Sequence, residues 1–497
     1  MKCDRRGGTN TLCLGMVLFC WIGCSGMLVA QELERDAAVF YDNVPTAVGA
    51  PITAATAPTA GGGPMTVDNV PTAVGGPMTV DHGIGDRLFV NSDGSADSSL
   101  WSQDLLWSHD VGYDNGIFLR LQKDDDSFEL KTNIRTQFRV VSFSRNEETW
   151  TDNAGTVRPI ENRQDFDIER LRVVLSGHAF TPQFKYFVQM DGDTDSRHVV
   201  SILDGWVAWH FSDAFEMQFG KRKVPGTRNW MLGAFDTRLA DRPFSNEFFR
   251  PSRTTGIWCV GDPTEATHYE LMLGQGYNTE GLTPSETNNN FAAAGTAWWD
   301  VIGKYGPGRP SDFEFHDDLA VRIGSSWVSS NEGTPGRALE EADFLRLTDG
   351  TRVTETGALA PGATVESFDV ALLAIDAAFK YQGWSANAEY FWRSVTNLKS
   401  DLPVSHVGLQ HGFYVEGGFF VFPQQLELNS QVAYVTGQFG STTSYATGFS
   451  YYPRKAPYLK LTLDATFIDG SPANSTGSDI LVGDNGVLIR FQWQALF

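Results

Sequence analysis

Arg135 and Arg139 lie four residues apart in a segment where polar and apolar residues alternate, so both project from one face of a strand, together with Lys131. A second alternating segment carries Arg170 and Arg172, and a third carries Lys185. A guanidinium is planar, permanently charged and able to pair with two oxygens of a phosphate or carboxylate at once. A ladder of such groups would hand an anion from one weak site to the next and then release it, whereas one tight site would hold it. The structural alternative is that Glu129, Glu169, Asp191 and Asp204, on the same or adjoining segments, pair with these cations and brace a wall.

Residues 221–253 form a second basic group. Eight Lys/Arg (Lys221, Arg222, Lys223, Arg228, Arg238, Arg242, Arg250 and Arg253) stand against Asp236, Asp241 and Glu247, a local +5 in an acidic chain. Arg222, Arg228, Arg238, Arg242, Arg250 and Arg253 are the candidates for a charged constriction; the bland reading is an exposed loop. There is no nucleophile elbow, P-loop or His-x-x-x-His pair, so the reading is not an enzyme and requires no cofactor and no metal. Asp191-Gly-Asp193-Thr-Asp195 lacks the rest of an EF-hand loop and reads as a turn.

The elements that must position these cations are strands. Phe128, Leu130, Thr132, Ile134, Thr136 and Phe138 alternate with Glu129, Lys131, Asn133, Arg135, Gln137 and Arg139. Val487, Ile489, Phe491, Trp493, Ala495 and Phe497 likewise alternate with Leu488, Arg490, Gln492, Gln494 and Leu496 at the end of the chain. Similar segments recur around 115–122, 127–141, 167–180, 183–191, 200–211, 213–221, 254–261, 267–276, 318–329, 367–380, 383–395, 411–422, 425–436, 443–453, 456–468 and 486–497. The expected fold is all-β: a transmembrane antiparallel barrel of about sixteen strands, closed so that no strand edge meets lipid. Thr181-Pro182 and Ser212-Asp213 read as short periplasmic turns; 145–165, 222–253, 277–316 and 330–365 read as loops at the other end. Trp209, Tyr390, Trp392 and Trp493 are expected at the lipid interfaces.

The first thirty residues read as an export signal: basic Lys2, Arg5 and Arg6, an apolar Leu12–Trp21 core, and a cleavage site after Ala30. Residues 31–110 repeat Asp-Asn-Val-Pro-Thr-Ala-Val-Gly at 42–49 and 68–75 and read as a Pro/Gly-rich acidic linker. The domains expected are thus 1–30 signal, 31–110 linker and 111–497 barrel. Four of the five cysteines fall in the signal, leaving Cys259 alone and no intramolecular disulfide. The formal charge of −22 becomes −24 without the signal (35 basic against 59 acidic residues), which argues against nucleic acid as a partner.

Over about 110–497 the chain resembles the phosphate-selective porin O and P family. The resemblance is carried by Gly112-Tyr-Asp-Asn-Gly-Ile-Phe118, the Phe128–Phe138 strand with Arg135-Thr-Gln137, and Phe166-Asp-Ile-Glu-Arg-Leu-Arg172 with Leu175-Ser-Gly177. Phe184–Asp191, Leu203-Asp-Gly-Trp-Val207, Phe219–Pro225, Arg253-Thr-Thr-Gly256 and the last strand complete it. It implies a sixteen-stranded outer-membrane porin of a Gram-negative-type bacterium, a homotrimer in contact with outer-membrane lipid, carrying small anions such as phosphate or polyphosphate. It also implies a long loop near 221–253 folded into the pore. The repeat-bearing linker and the acidity depart from the family pattern. The alternatives are a non-selective general porin and a structural, envelope-binding barrel.

Overall fold

The computed structural model describes residues 108–192, 200–337 and 339–497. The signal, the linker up to residue 107, and Asp193 and Asp195 of the Asp-rich turn lie outside the described residues. No described helix is long and apolar enough to cross a membrane.

The described residues open with a hairpin, β1 (Ser108–Tyr113) and β2 (Ile117–Lys123), followed by β3 (Asp126–Arg145). A small hairpin, β4 (Thr149–Thr151) and β5 (Val157–Pro159), decorates the next loop. The wall continues with β6 (Arg163–Ala179), β7 (Thr181–Gly192), β8 (Ser201–Ser212), β9 (Phe215–Lys223), β10 (Arg253–Thr264), β11 (Thr267–Gly274), β12 (Ala292–Ile302) and β13 (Ala320–Gly333). It finishes with β14 (Val365–Tyr381), β15 (Trp384–Ser400), β16 (Gln410–Phe422), β17 (Leu426–Gly437), β18 (Gly440–Tyr451), β19 (Leu459–Asp469) and β20 (Gly486–Leu496).

Each wall strand pairs antiparallel with its neighbours, and β20 returns to β3, with Gly486 opposite Arg145 and Leu496 opposite Arg135. The ring is a closed barrel of sixteen strands. β2 occupies the part of the β3 edge that β20 does not reach, placing Ile117 opposite Thr132. The terminal Phe497 exchanges backbone hydrogen bonds with Ile134 between the two. The β3 edge is therefore covered along its length, as a sheet edge in lipid requires.

Alternation along the strands is read out as burial. On β20, Leu488, Arg490, Gln492 and Gln494 are buried inside, while Ile489, Phe491 and Trp493 are exposed on the outside. One bulge matters for function. Gln137 faces Arg170 but Phe138 faces Ile168, so Glu169 is an extra residue on β6. The bulge shifts the phase of the strand and turns both Glu169 and Arg170 inward, where both are buried.

The count of sixteen agrees with the sequence reading, but its membership differs in two places that cancel. The segment around 115–122 is β2, an appended strand outside the ring. The segment 277–316, read as one loop, contains β12. Its Ala292-Ala-Ala-Gly-Thr-Ala run has little polar–apolar contrast, so alternation could not reveal it. Leu203 and Asp204 are both buried, because a bulge between Gln189/Met190 and Asp204/Ile202 gives the outward place to Ile202.

Links at the end holding the C-terminus are short, such as 382–383 between β14 and β15, with one exception at 303–319. The other end carries the long loops, including 224–252, which contains α1 (Arg228–Met231) and α2 (Phe244–Phe249). Thr227 caps α1 by accepting from the Trp230 N–H. Val224, Phe244, Phe248 and Phe249 of this loop join the apolar core on the inner wall, where Phe249 stacks on Phe391 of β15 at 5.0 Å between ring centres.

Candidate functional site

The 224–252 loop leaves the wall between β9 and β10 and crosses to the far side. Arg238 donates to Glu427 of β17 at 2.8 Å, and Lys460 of β19 donates to the Thr237 carbonyl at 2.7 Å. The Ala240 N–H donates to Asp464 at 2.7 Å, and Gln137 and Gln494 bond the Ala234 and Phe235 carbonyls. Arg228 pairs with Asp376 of β14 at 2.8 Å, and its backbone N–H donates to Glu389 of β15 at 2.7 Å. These anchors fill the lumen on the β14–β20 side.

Two of the cavities among the described residues lie on the other side. The upper one, about 230 Å³, is lined by Arg170, Arg172, Arg242, Arg250, Arg253 and Lys223 among its charged groups, against Asp241, Glu247 and Glu280. The lower one, about 700 Å³, lies toward the short-turn end. It is lined by Arg222, Lys223, Arg228, Arg309 and Arg322 with Trp206, Trp298 and several carboxylates. Lys223 lines both, and marks the throat between them.

The throat is organised by one indole. Around the Trp230 ring stand Arg250 at 4.0 Å, Lys223 at 4.8 Å, and Arg242 and Arg253 at 5.3 Å each. Cation–π attraction, about 0.5–2 kcal/mol per contact, helps to hold like charges together there. Their remaining partners differ. Arg253 pairs with Asp204 at 3.0 Å and Glu280 at 3.5 Å, and Arg250 with Glu247 at 2.8 Å. Lys223 instead donates to the Trp230 and Leu232 carbonyls, both at 2.8 Å. Arg242 donates to the Asn229 and Leu232 carbonyls at 3.0 and 2.8 Å, with Asp241 3.9 Å away. Carbonyls thus hold both side chains at the cavity, with no carboxylate in direct contact with Lys223 among the described residues and Asp241 3.9 Å from Arg242. Burial lowers Arg242 to about 10, offset in part by Asp241 and Glu247, and it stays protonated at neutral pH. Burial would raise Asp241, but Arg170, Arg139 and Arg242 outweigh it and hold the carboxyl well below the usual range.

The sequence candidates separate into groups. Arg170, Arg172, Arg242, Arg250 and Arg253 meet at the upper cavity; Arg222 and Arg228 line the lower one. Arg172 pairs with Asp191 at 2.8 Å and Arg222 with Glu270 at 2.7 Å. Lys131, Arg135, Arg139, Lys185 and Arg238 line neither. Arg139 and Arg238 have fully enclosed side chains, sealed by carboxylates and by the crossing loop. Arg139 alone meets Glu169, Asp241 and Asp479 within 3.3 Å. Lys185 pairs with Glu216 at 2.7 Å, and Lys131 approaches Asp114 of the first hairpin at 3.5 Å. Among the described residues Arg135 has no ion-pair partner, and its buried Nε makes no hydrogen bond. Lys223 is the residue the short list of six arginines omitted; the +5 of 221–253 contained it.

A closed sixteen-stranded barrel, apolar outside and narrowed by an inward loop with charged residues at its throat, defines a membrane channel of the porin class. The family model for phosphate-selective porin O and P matches residues 148–494, and the chain belongs to this family. It is therefore an outer-membrane porin. None of the curated proteins matches it significantly. Among solved structures, OmpT of Vibrio cholerae is 12% identical over 76% of this chain and 100% of its own, with a TM-score of 0.45. The anion-selective porin of Comamonas acidovorans is 10% identical over 74% and 99%, with a TM-score of 0.47. The DcaP channel of Acinetobacter baumannii is 11% identical over 75% and 98%, with a TM-score of 0.43. Family membership rests on the 148–494 match and not on these distant likenesses.

Proposed function

We propose that the protein is a passive channel for small anions, phosphate or polyphosphate among them. The observation that carries this reading is the throat, where Lys223 and Arg242 are held by backbone carbonyls while six cations face three carboxylates around one cavity. A solute leaving bulk water meets a positive potential there in a low-dielectric wall, which favours anions and excludes cations. The overall acidity of the chain does not decide selectivity, because it averages over linker, loops and lumen; residues 31–110 alone hold 11 acids against two arginines. The family description points the same way. The protein is further taken to be exported by residues 1–30, to carry 31–110 as a linker, and to assemble as a homotrimer in outer-membrane lipid.

Reversal potentials across a KCl gradient in planar bilayers test the reading. An anion-selective potential is expected, with phosphate reducing the chloride current. A cation-selective pore overturns it; anion selectivity without phosphate block leaves a general anion porin.

A further inference from the structure

At the C-terminal end of the barrel the links between strands need only a few residues, yet 303–319 between β12 and β13 has seventeen. This segment turns into the lumen. Tyr305 is fully buried, Ser311 donates to Glu427 at 2.8 Å, and Gly383 N–H donates to Asp312 at 2.8 Å. Phe313 packs edge-on against Phe420 at 5.3 Å and Tyr452 at 4.7 Å. Its tip, Gly306-Pro307-Gly308-Arg309-Pro310, meets the 224–252 loop that enters from the opposite mouth. Behind the meeting point, Arg238 donates to the Pro310 carbonyl at 2.7 Å in a fully buried contact. At the cavity rim, Arg309 pairs with Asp236 at 3.0 Å, and both side chains remain about one-third exposed at 37% and 34%. Both also line the lower cavity.

We propose that turn 303–319 is a second constriction element, set on the exit side of the throat, and that the Arg309–Asp236 pair determines the width and charge preference of that exit. Two inserts from opposite ends close on the lower cavity. The buried contacts hold each insert in place, while the exposed pair occupies the remaining gap. Because Arg309 and Asp236 neutralise each other at the rim, removing either one exposes the charge of the other to the permeating ion. The pair is thus placed to correct the selectivity imposed above it at Lys223, and it does not depend on which ion the throat prefers.

Single-channel conductance and reversal potential of the full chain with Arg309→Ala, Asp236→Ala and both together test this. Arg309→Ala is expected to raise conductance at least about 1.5-fold and to shift permeability toward cations. Asp236→Ala is expected to shift it toward anions. The double variant should recover the parent's selectivity and keep the wider pore. Arg309→Gln preserves the bulk and serves if the alanine variant does not insert: it should shift selectivity without the gain in conductance. Unchanged conductance and selectivity, or single variants that shift selectivity in the same direction, overturn the proposal. A cation-selective parent channel sinks the throat reading instead, and the opposite shifts of the two variants remain measurable.

Discussion

Arg238 and Glu427 meet at 2.8 Å across 189 positions of sequence, and neither side chain has any solvent exposure. The pair pins the crossing loop to the wall opposite the strands that launch it. The same arginine bonds Ser385 and the Pro310 carbonyl, so one side chain joins the wall, the loop and the exit turn.

Removing one partner of an enclosed ion pair strands the other without solvent, at a cost of about 3–5 kcal/mol. Glu427→Ala should therefore release the tip of the loop while leaving the barrel closed. The expected result is a larger, noisier conductance with an unchanged β-sheet spectrum. A conductance equal to the parent's would show that the loop is held without this contact.

Lys223→Glu places a carboxylate at the residue lining both cavities. At an effective dielectric near 20, a unit charge about 4 Å from an ion contributes about 4 kcal/mol before screening, enough for a tenfold or greater change in permeability ratio. Reversal potentials should move toward cation selectivity. Arg139→Gln should not produce that shift, because Arg139 is sealed beneath Glu169, Asp241 and Asp479; its effect should be on stability.

Trp230→Leu removes the ring that faces four cations, whereas Trp230→Phe keeps an aromatic face. Anion selectivity should fall in the first variant and largely survive in the second. Equal losses in both would mean that volume, and not the π face, orders the throat.

The pH dependence follows from Asp241, whose folded pKa lies below its unfolded value through Arg170, Arg139 and Arg242 against the opposing effect of burial. A depressed carboxylate contributes stability that is fully present above its unfolded pKa, about 3.9, and is lost as pH falls toward the folded value. Conductance should be flat from neutral pH to about pH 5 and become unstable only below about pH 4. An Asp241→Asn channel should already be unstable at neutral pH. Onset near pH 6 in the parent would point to a different group.

Much of the fold was legible because the membrane imposes a simple rule on each strand. Phe491 and Trp493 outside with Arg490 and Gln492 inside follow from period-two alternation, since lipid and lumen differ so strongly in polarity. Where side chains are small the rule has nothing to act on, which is why the Ala-rich β12 was invisible. Bulges at Glu169 and Leu203 were hidden as well, because an extra residue is defined by the partner strand and not by its own sequence.

The sequence by itself determined that strands alternate, that cations gather on β3, β6 and residues 221–253, and that the last strand closes a barrel. Only the tertiary structure decided which partners those cations meet. Arg139 and Lys223 are both inward cations, yet one meets three carboxylates and the other two carbonyls. That difference depends on where a loop crosses the lumen and on the residues hundreds of positions away that receive it. Local pattern sets the face of a side chain; long-range packing sets its partners, and the partners set the field an ion meets.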